Sequence, residues 1–381
     1  MKKFKLSESV QFHNNDNGEQ YIIYAGRVLK LGSIHLKILE SIKEEYKTID
    51  EIIKSLGINI NVENKDALNE TRNKLNVLLK ELYGLGIIQI GDQPDLYDLK
   101  QMFKVGETFL HYRIVSLLSL DDPFVQVYKV QDLNDSLSFV LKIFSQSIES
   151  KDSRVIKAYT LFCQEFENLS KLQNNTSVYK LIEYDTRCDV PYGILEFIDG
   201  KTLTEIIDDE ISSKEKLKII TQMLHSMSYV HDNDIIHGDL HTRNFMIDNF
   251  QNVKIIDFGF SYNLKEDLEK QILVKGGQPR FTAPERVNMH DYKFSNIPSN
   301  KRSEVYQLGL ISYRLLNGSI PFEGETWQEM AKSILAFKFS TDDFDIQRDL
   351  ANILVKALDI NPKIRFGSAT EMYNEWTKCY Q

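Results

Sequence analysis

The sequence predicts an α+β chain in two parts: a small winged-helix-like module, then a larger body that opens in strands and closes in helices. Three observations carry this. Residues 91–107, "GDQPDLYDLKQMFKVGE", are polar and rich in Gly, Pro and Asp, the composition of a seam. Before it, two short apolar alternations precede a set of helical patterns and a terminal apolar run. After it come strands, a helix and more strands, then a largely helical second half.

The elements follow in order. "QYIIYAGRVLKLG" (20–32) reads as two short strands turning at Ala25-Gly26. In "SIHLKILESIKEEY" (33–46), Ile34, Leu36, Ile38, Leu39 and Ile42 recur at helical spacing. "TIDEIIKSLG" offers Thr48 as an N-cap, Glu51 three residues on for a capping box, and Gly57 as a stop. A longer helix runs through "DALNETRNKLNVLLKELYGLG", and "IIQI" (87–90) follows as a strand. In the body, "YRIVSLL" and "FVQVYKV" are strands, and "FVLKIF" (139–144) is a third that sets Lys142 on one face. "YTLFCQEFENLSKL" (159–172) is a helix, and "YGILEFIDGKTL" (192–203) a strand leaving into a linker.

Composition narrows the function classes. With 381 residues, the chain has room for more than one core, and its apolar fraction of 42% is that of a globular protein. No run approaches the roughly 20 apolar residues of a spanning helix. The start, "MKKFKLSESVQFHNNDNGEQ", lacks the apolar run of a signal peptide. Cys163, Cys188 and Cys379 are scattered, which suits free thiols in a reducing, cytoplasmic setting. A net charge of −9 argues against a general nucleic-acid binder.

The order of strands, "HLKILESIKEEYKTIDEII" and "LLKELYGLGII" make roughly the first 90 residues similar to the pyrroloquinoline-quinone biosynthesis protein D family. That resemblance implies a peptide-recognition element, of the kind found in enzymes that modify ribosomally made peptides. It also implies a leader peptide that adds as a strand at the sheet edge "RVLKL" (27–31), beside the helix bearing Leu75, Leu78 and Leu82. Core packing is the alternative role for those leucines. A DNA-binding winged helix or a dimerisation module are the alternatives for the whole part. Asp66, Glu70 and Glu81 on the long helix weigh against DNA.

Residues 235–261, "IIHGDLHTRNFMIDNFQNVKIIDFGFS", space Asp239, Asp257, Asn244, His237 and His241 along apolar strand-like runs. With "GGQPRFTAPER" (276–286), "RSEVYQLGLISYRLLNGSIPF" (302–322) and "NPKIRFGS" (361–368), this resembles the eukaryotic-type protein kinase fold over roughly residues 105–375. The two resemblances together imply a peptide-recognition domain at 1–92, a linker at 93–107, and a bilobal body with lobes at 108–198 and 199–381. They imply ATP and Mg²⁺ as cofactors and transfer of a phosphoryl group to a hydroxyl side chain, with positioning and charge neutralisation doing most of the catalysis.

By the kinase resemblance, Asp239 is the catalytic-loop aspartate that orients the acceptor hydroxyl and takes up its proton. Asn244 and Asp257 are the Mg²⁺ ligands. Lys142 holds the α- and β-phosphates with Glu165 as its ion-pair partner, Glu167 being the rival for that role. Glu196 and Ile198 offer backbone groups to adenine, Leu195 stands at the gatekeeper position, and Val127, Val140 and Met246 line the nucleotide. Glu285 and Arg365 match an ion pair that anchors the activation segment, and His237 and Phe258 match a stacked apolar column. A precursor peptide docked through the first domain is the implied partner.

Three departures keep other readings open. The turn "SLDDPF" contains no glycine where the family has three, near Leu120, Asp122 and Val125, and its two aspartates would repel phosphate. A pseudokinase scaffold is therefore one alternative. Gly238 replaces the arginine that usually precedes the catalytic aspartate, and "HGDLH" resembles small-molecule phosphotransferases; against that reading stand "TAPER" and "NPKIRFG". His241 and Gln278 replace the lysine and the threonine usual in serine/threonine kinases, and Arg243 stands where tyrosine kinases carry arginine, so the acceptor hydroxyl stays open.

Overall fold

The computed structural model describes residues 3–6, 10–14, 20–24, 27–29, 33–57, 71–72, 75, 78–79, 82, 88–90, 101–119, 122–207, 209, 211–274, 277–289, 292, 294–295, 297–324 and 327–380. Its contacts divide the chain into two compact units, Met1–Ser136 and Leu137–Gln381. Strands that the sequence assigns to the larger body thus cluster with the N-terminal module.

In the first unit, β1 (Lys3–Leu6) is the centre of one small sheet. A meander of β2 (Gln11–Asn14), β3 (Gln20–Tyr24) and β4 (Arg27–Leu29) makes another, with β4 at its edge. Helix α1 (Ser33–Ser41) follows. The spacing predicts that helix as far as residue 46, but it stops early because the Ile42 carbonyl accepts the amide of Leu6 from β1, at 3.0 Å. Leu36, Ile38, Leu39 and Ile42 are buried as the pattern requires, whereas Ile34 is exposed.

β5 (Lys47–Thr48) pairs with β1 and leads into α2 (Ile49–Ser55). The expected capping box is present: Thr48 accepts from the Glu51 amide, and the Glu51 carboxylate accepts from the Thr48 amide at 2.7 Å. Leu75, Leu79 and Leu82, at helical positions, close the core with Phe4, Leu6, Ile22, Ile52 and Ile88. Leu75 and Leu82 are therefore core rather than open pocket, and Leu78 is half-buried against the same cluster. β6 (Ile88–Ile90) completes the order β5-β1-β6. The turn at Ala25-Gly26 and residues 30–31 of the edge segment lie outside the described residues.

The same unit continues through β7 (Thr108–Phe109), β8 (Tyr112–Ser119) and β9 (Val125–Asp132), an antiparallel meander. β9 buries Gln126, Tyr128 and Val130 and leaves Val125 and Val127 half-buried. A polar residue takes the buried face because it has partners there. The Gln126 side-chain oxygen accepts from the Met102 amide at 2.9 Å and from the Tyr128 hydroxyl. Phe103 donates its amide to the Tyr128 hydroxyl and packs its ring on Phe109 and Tyr128. The segment after residue 100 is thus strapped onto β9. In the turn between β8 and β9, Phe124 packs against the buried cluster of the N-terminal module.

In the second unit, β10 (Ser138–Phe144) buries Leu141 and Ile143 on one side, leaving Lys142 on the other. Asp152 caps α3 (Ser153–Ser170), which precedes β11 (Leu181–Asp185) and β12 (Tyr192–Glu196); β12 pairs antiparallel with both β10 and β11. Then come β13 (Gly200–Thr202), the short α4 (Leu203–Ile206) and α5 (Ser213–Asp232). Short strands follow: β14 (Ile235–Ile236), β15 (Phe245–Asp248), β16 (Val253–Ile255) and β17 (Tyr262–Asn263). The helical remainder is α6 (Lys301–Asn317), α7 (Trp327–Ala336), α8 (Arg348–Ala357) and α9 (Ala369–Cys379). Its core is built on fully buried Trp376, Tyr306, Phe245 and Phe258. No described helix is long and apolar enough to cross a membrane.

Candidate active site

Five of the residues singled out from sequence meet in the second unit. Strand β10 presents Lys142, and one face of α3 presents Glu165, which is almost fully buried. The Lys142 ammonium donates to both Glu165 oxygens, at 2.7 and 2.8 Å. Glu167 lies on the exposed side of the helix, so Glu165 is the partner. Lys142 also reaches Asp257 Oδ1 at 3.2 Å, and the Tyr179 hydroxyl donates to Glu165 at 3.2 Å. Burial works against the charge on Lys142, but Asp257 and Glu165 outweigh it and hold the ammonium well above its usual range. The same burial pushes Glu165 up, against the pull of Lys142. Lys142 keeps the Asp257 carboxylate below its ordinary value, so both members of that pair are charged at neutral pH.

Asp257 sits at φ 63°, a left-handed backbone conformation that is costly for a non-glycine residue. Such strain persists where the surroundings over-determine it. Here the preceding Ile256 amide donates to the Asn244 carbonyl at 2.9 Å, and the Ile256 carbonyl is bonded to the His237 ring at 3.0 Å. Phe258 stacks on Tyr179 and packs at a tilt against His237, so these rings meet as the expected column requires.

The loop between β14 and β15 carries Asp239 and Asn244. Asn244 is buried and donates its amide nitrogen to the Asp239 carbonyl at 2.9 Å, which fixes the side chain and aims its oxygen away from that bond. Asp239 Oδ1 accepts from the Gln278 amide at 3.1 Å, and Oδ2 lies 3.6 Å from His241 Nε2. Before it, Gly238 has φ 88°, and a Cβ there would meet the Phe260 carbonyl oxygen at 2.3 Å. No arginine fits at that position. Its amide is instead held by Glu304 of α6 at 2.7 Å, and the other Glu304 oxygen pairs with His231 at 2.8 Å, both groups fully buried.

The second anchor is also assembled. Arg365 makes a two-point pair with Glu285, at 2.8 and 2.9 Å, and Ser303 adds a hydroxyl to the same carboxylate at 2.9 Å. Two-point geometry fixes the orientation of this pair, and burial makes the loss of either partner costly because the other charge is left unpaired. Glu304, Tyr179 and the buried Arg286 were not singled out from sequence; only their burial in the fold marks them.

For the adenine-binding expectations, the Glu196 amide donates to the Lys180 carbonyl, and its carboxylate is engaged by Lys254 and by the Lys180 amide. Ile198 and Leu195 are buried, while Val140 on β10 and Met246 on β15 are half-buried. Val127 stands on β9 in the first unit. In the turn before β9, the Asp122 carboxylate accepts from the Phe124 and Val125 amides at 2.7 and 3.2 Å, so a carboxylate already satisfies backbone donors of that turn.

A family model described as protein kinase domain matches residues 123–377. Among curated relatives, serine/threonine-protein kinase PrkC of Bacillus subtilis is 28% identical over 251 residues, 65% of this chain and 37% of the relative. A probable serine/threonine-protein kinase PknB of Lactococcus lactis is 27% identical over 289 residues, covering 72% and 43%. Serine/threonine-protein kinase PknB of Mycobacterium tuberculosis is 26% identical over 257 residues, covering 65% and 39%. The chain thus spans less than half the length of the curated relatives it matches.

Proposed function

The chain belongs to the protein kinase domain family, and from that premise we propose that it transfers the γ-phosphoryl group of ATP to a side-chain hydroxyl of a protein or peptide. The observation that carries the reading is the two-point Lys142–Glu165 pair with Asp257 at 3.2 Å from the same ammonium. The bare fold does not require such a charged cluster, with Glu165 buried and Asp257 open to solvent; binding a polyphosphate and its metal does. Names of the relatives favour serine or threonine as acceptor.

The residues fit an oxygen-liganded divalent ion. Among the described residues no three His, Cys, Asp or Glu side chains converge on a metal. One carboxylate from Asp257 and one amide oxygen from Asn244 suit Mg²⁺, which keeps few protein ligands and takes the rest from phosphates and water. When bound, Mg²⁺ supplies charge neutralisation for the phosphates. Lys142 neutralises a further phosphate charge, held in place by Glu165. Asp239 orients the acceptor hydroxyl and takes its proton, and its bond from Gln278 at 3.1 Å fixes the carboxylate plane.

We further propose that residues 1–92 resemble a leader-binding module because they recognise the peptide substrate, a ribosomally made precursor. The edge position of β4 supports this, since an edge strand offers unpaired backbone groups for strand addition. Transfer of label from γ-labelled ATP to a precursor peptide and to dephosphorylated casein, with Mg²⁺ present or chelated, tests the enzymatic reading; no transfer to any acceptor sinks it. A second reading, a scaffold that binds nucleotide weakly, is favoured by Asp122 occupying turn amides. A thermal shift with ATP and Mg²⁺ but no transfer would select it.

A further inference from the structure

Helix α3 carries more than Glu165. The neighbouring Gln164 is buried and points to the opposite partner, the chain that follows Phe258-Gly259. Its amide nitrogen donates to the Ser261 carbonyl at 2.6 Å and to the Ile272 carbonyl at 3.2 Å, and its oxygen accepts the Ile272 amide at 3.0 Å. One side-chain amide thus reads the backbone at both ends of the excursion from 261 to 272. One turn further along α3, Asn168 donates to the Ser261 hydroxyl at 3.1 Å. The excursion is closed by a second amide pair: Gln271 accepts the Asn263 amide at 2.7 Å and donates to the Asn263 carbonyl at 2.8 Å.

Every bond in this clip is neutral and internal. The stretch from Asn263 to Phe281 contains no Ser, Thr or Tyr, and position 238 has no side chain to grip a phosphate. A segment that is ordered elsewhere by an added charge is tied here by amides already in the chain. We infer that Gln164 is a positioning residue, which docks the segment 261–272 on α3 and so fixes Glu165 against Lys142. This rests on the kinase reading above. Loss of the clip leaves the fold intact but lets α3 move, so Glu165 no longer presents Lys142 to the phosphates.

The test compares the wild-type chain with Gln164→Met, which keeps the length of the side chain and removes all three bonds, and with Gln271→Met, which opens the second pair. Phosphate transfer from γ-labelled ATP to casein and to the chain itself is measured well below the melting temperature, beside amide hydrogen exchange over 261–272. Both variants should exchange faster in that segment, and Gln164→Met should lose at least tenfold in kcat with secondary structure unchanged. Should Gln164→Met fail to fold, Gln271→Met carries the same expectation at a less buried site. An active wild type with equally active, equally protected variants overturns the inference alone. A wild type that transfers no phosphate under any condition overturns the kinase reading and the inference with it.

Discussion

Asp239 and Asp257 differ in what holds them, and single substitutions separate their roles. Asp239→Asn keeps the shape and hydrogen bonds of the loop but removes the proton acceptor; Asp257→Ala removes the metal carboxylate. Each should forfeit about 3 kcal/mol or more of transition-state stabilisation, roughly a 100-fold loss in turnover, with circular dichroism unchanged. Wild-type rates in either variant would refute the assignment. A third residue gives a pH test. Hydrogen bonds from Lys265 and then Lys301 hold the Asp234 carboxylate down at about 2. A depressed pKa contributes stability above the unfolded value near ~3.9, and that contribution is lost as pH falls through about 2. Asp234→Asn should therefore lower the urea midpoint at pH 7, and the gap to wild type should close as pH drops from 4 towards 2. Lys142, Glu165, Asp239, Asn244 and Asp257 were legible because their spacing is set by chemistry common to the family. Arg286 and Glu304 were not, because an isolated charged residue in sequence reads as a surface group until the fold buries it.

Among the elements, the segment after Asp257 gives a test of how activity arises. With no hydroxyl between Asn263 and Phe281, activity should be present in protein made in a bacterial host and survive phosphatase treatment. Mass spectrometry that finds a required phosphate between residues 257 and 285 would refute this. Element boundaries were read well where local chemistry sets them, as at Thr48, whose capping box starts α2 as expected. They were read poorly where a distant strand sets them, as at Ile42, whose carbonyl is taken by Leu6 and ends α1. β9 shows the same limit: Gln126 shares the buried face with Tyr128 and Val130, and one of the bonds that hold it there comes from Met102, two dozen positions earlier.

For the whole molecule, the prediction concerns why residues 1–92, proposed here to recognise the peptide, share a chain with a kinase domain. A peptide held by the module meets the catalytic residues at an effective concentration of about 1 mM, so a peptide present at ~10 μM should react roughly 100-fold faster than one that does not dock. Val28→Pro on the edge strand β4 removes a backbone donor and should slow the full precursor while sparing its isolated core segment at saturating concentration. An unchanged ratio of kcat/KM for the two substrates would remove the docking role. Substitution is a sharper tool here than deletion. Phe124, in the turn that lacks glycine, closes against the module's apolar cluster, and residues 102–103 are bonded to β9. Removing residues 1–92 would strip cover from that turn as well as the proposed docking surface. For anyone wishing to retarget the protein, the consequence is practical: the transferable piece is not the first 92 residues. A chimaera that exchanges residues 1–92 has to carry residues 101–132 with it, or match a new apolar surface to Phe124.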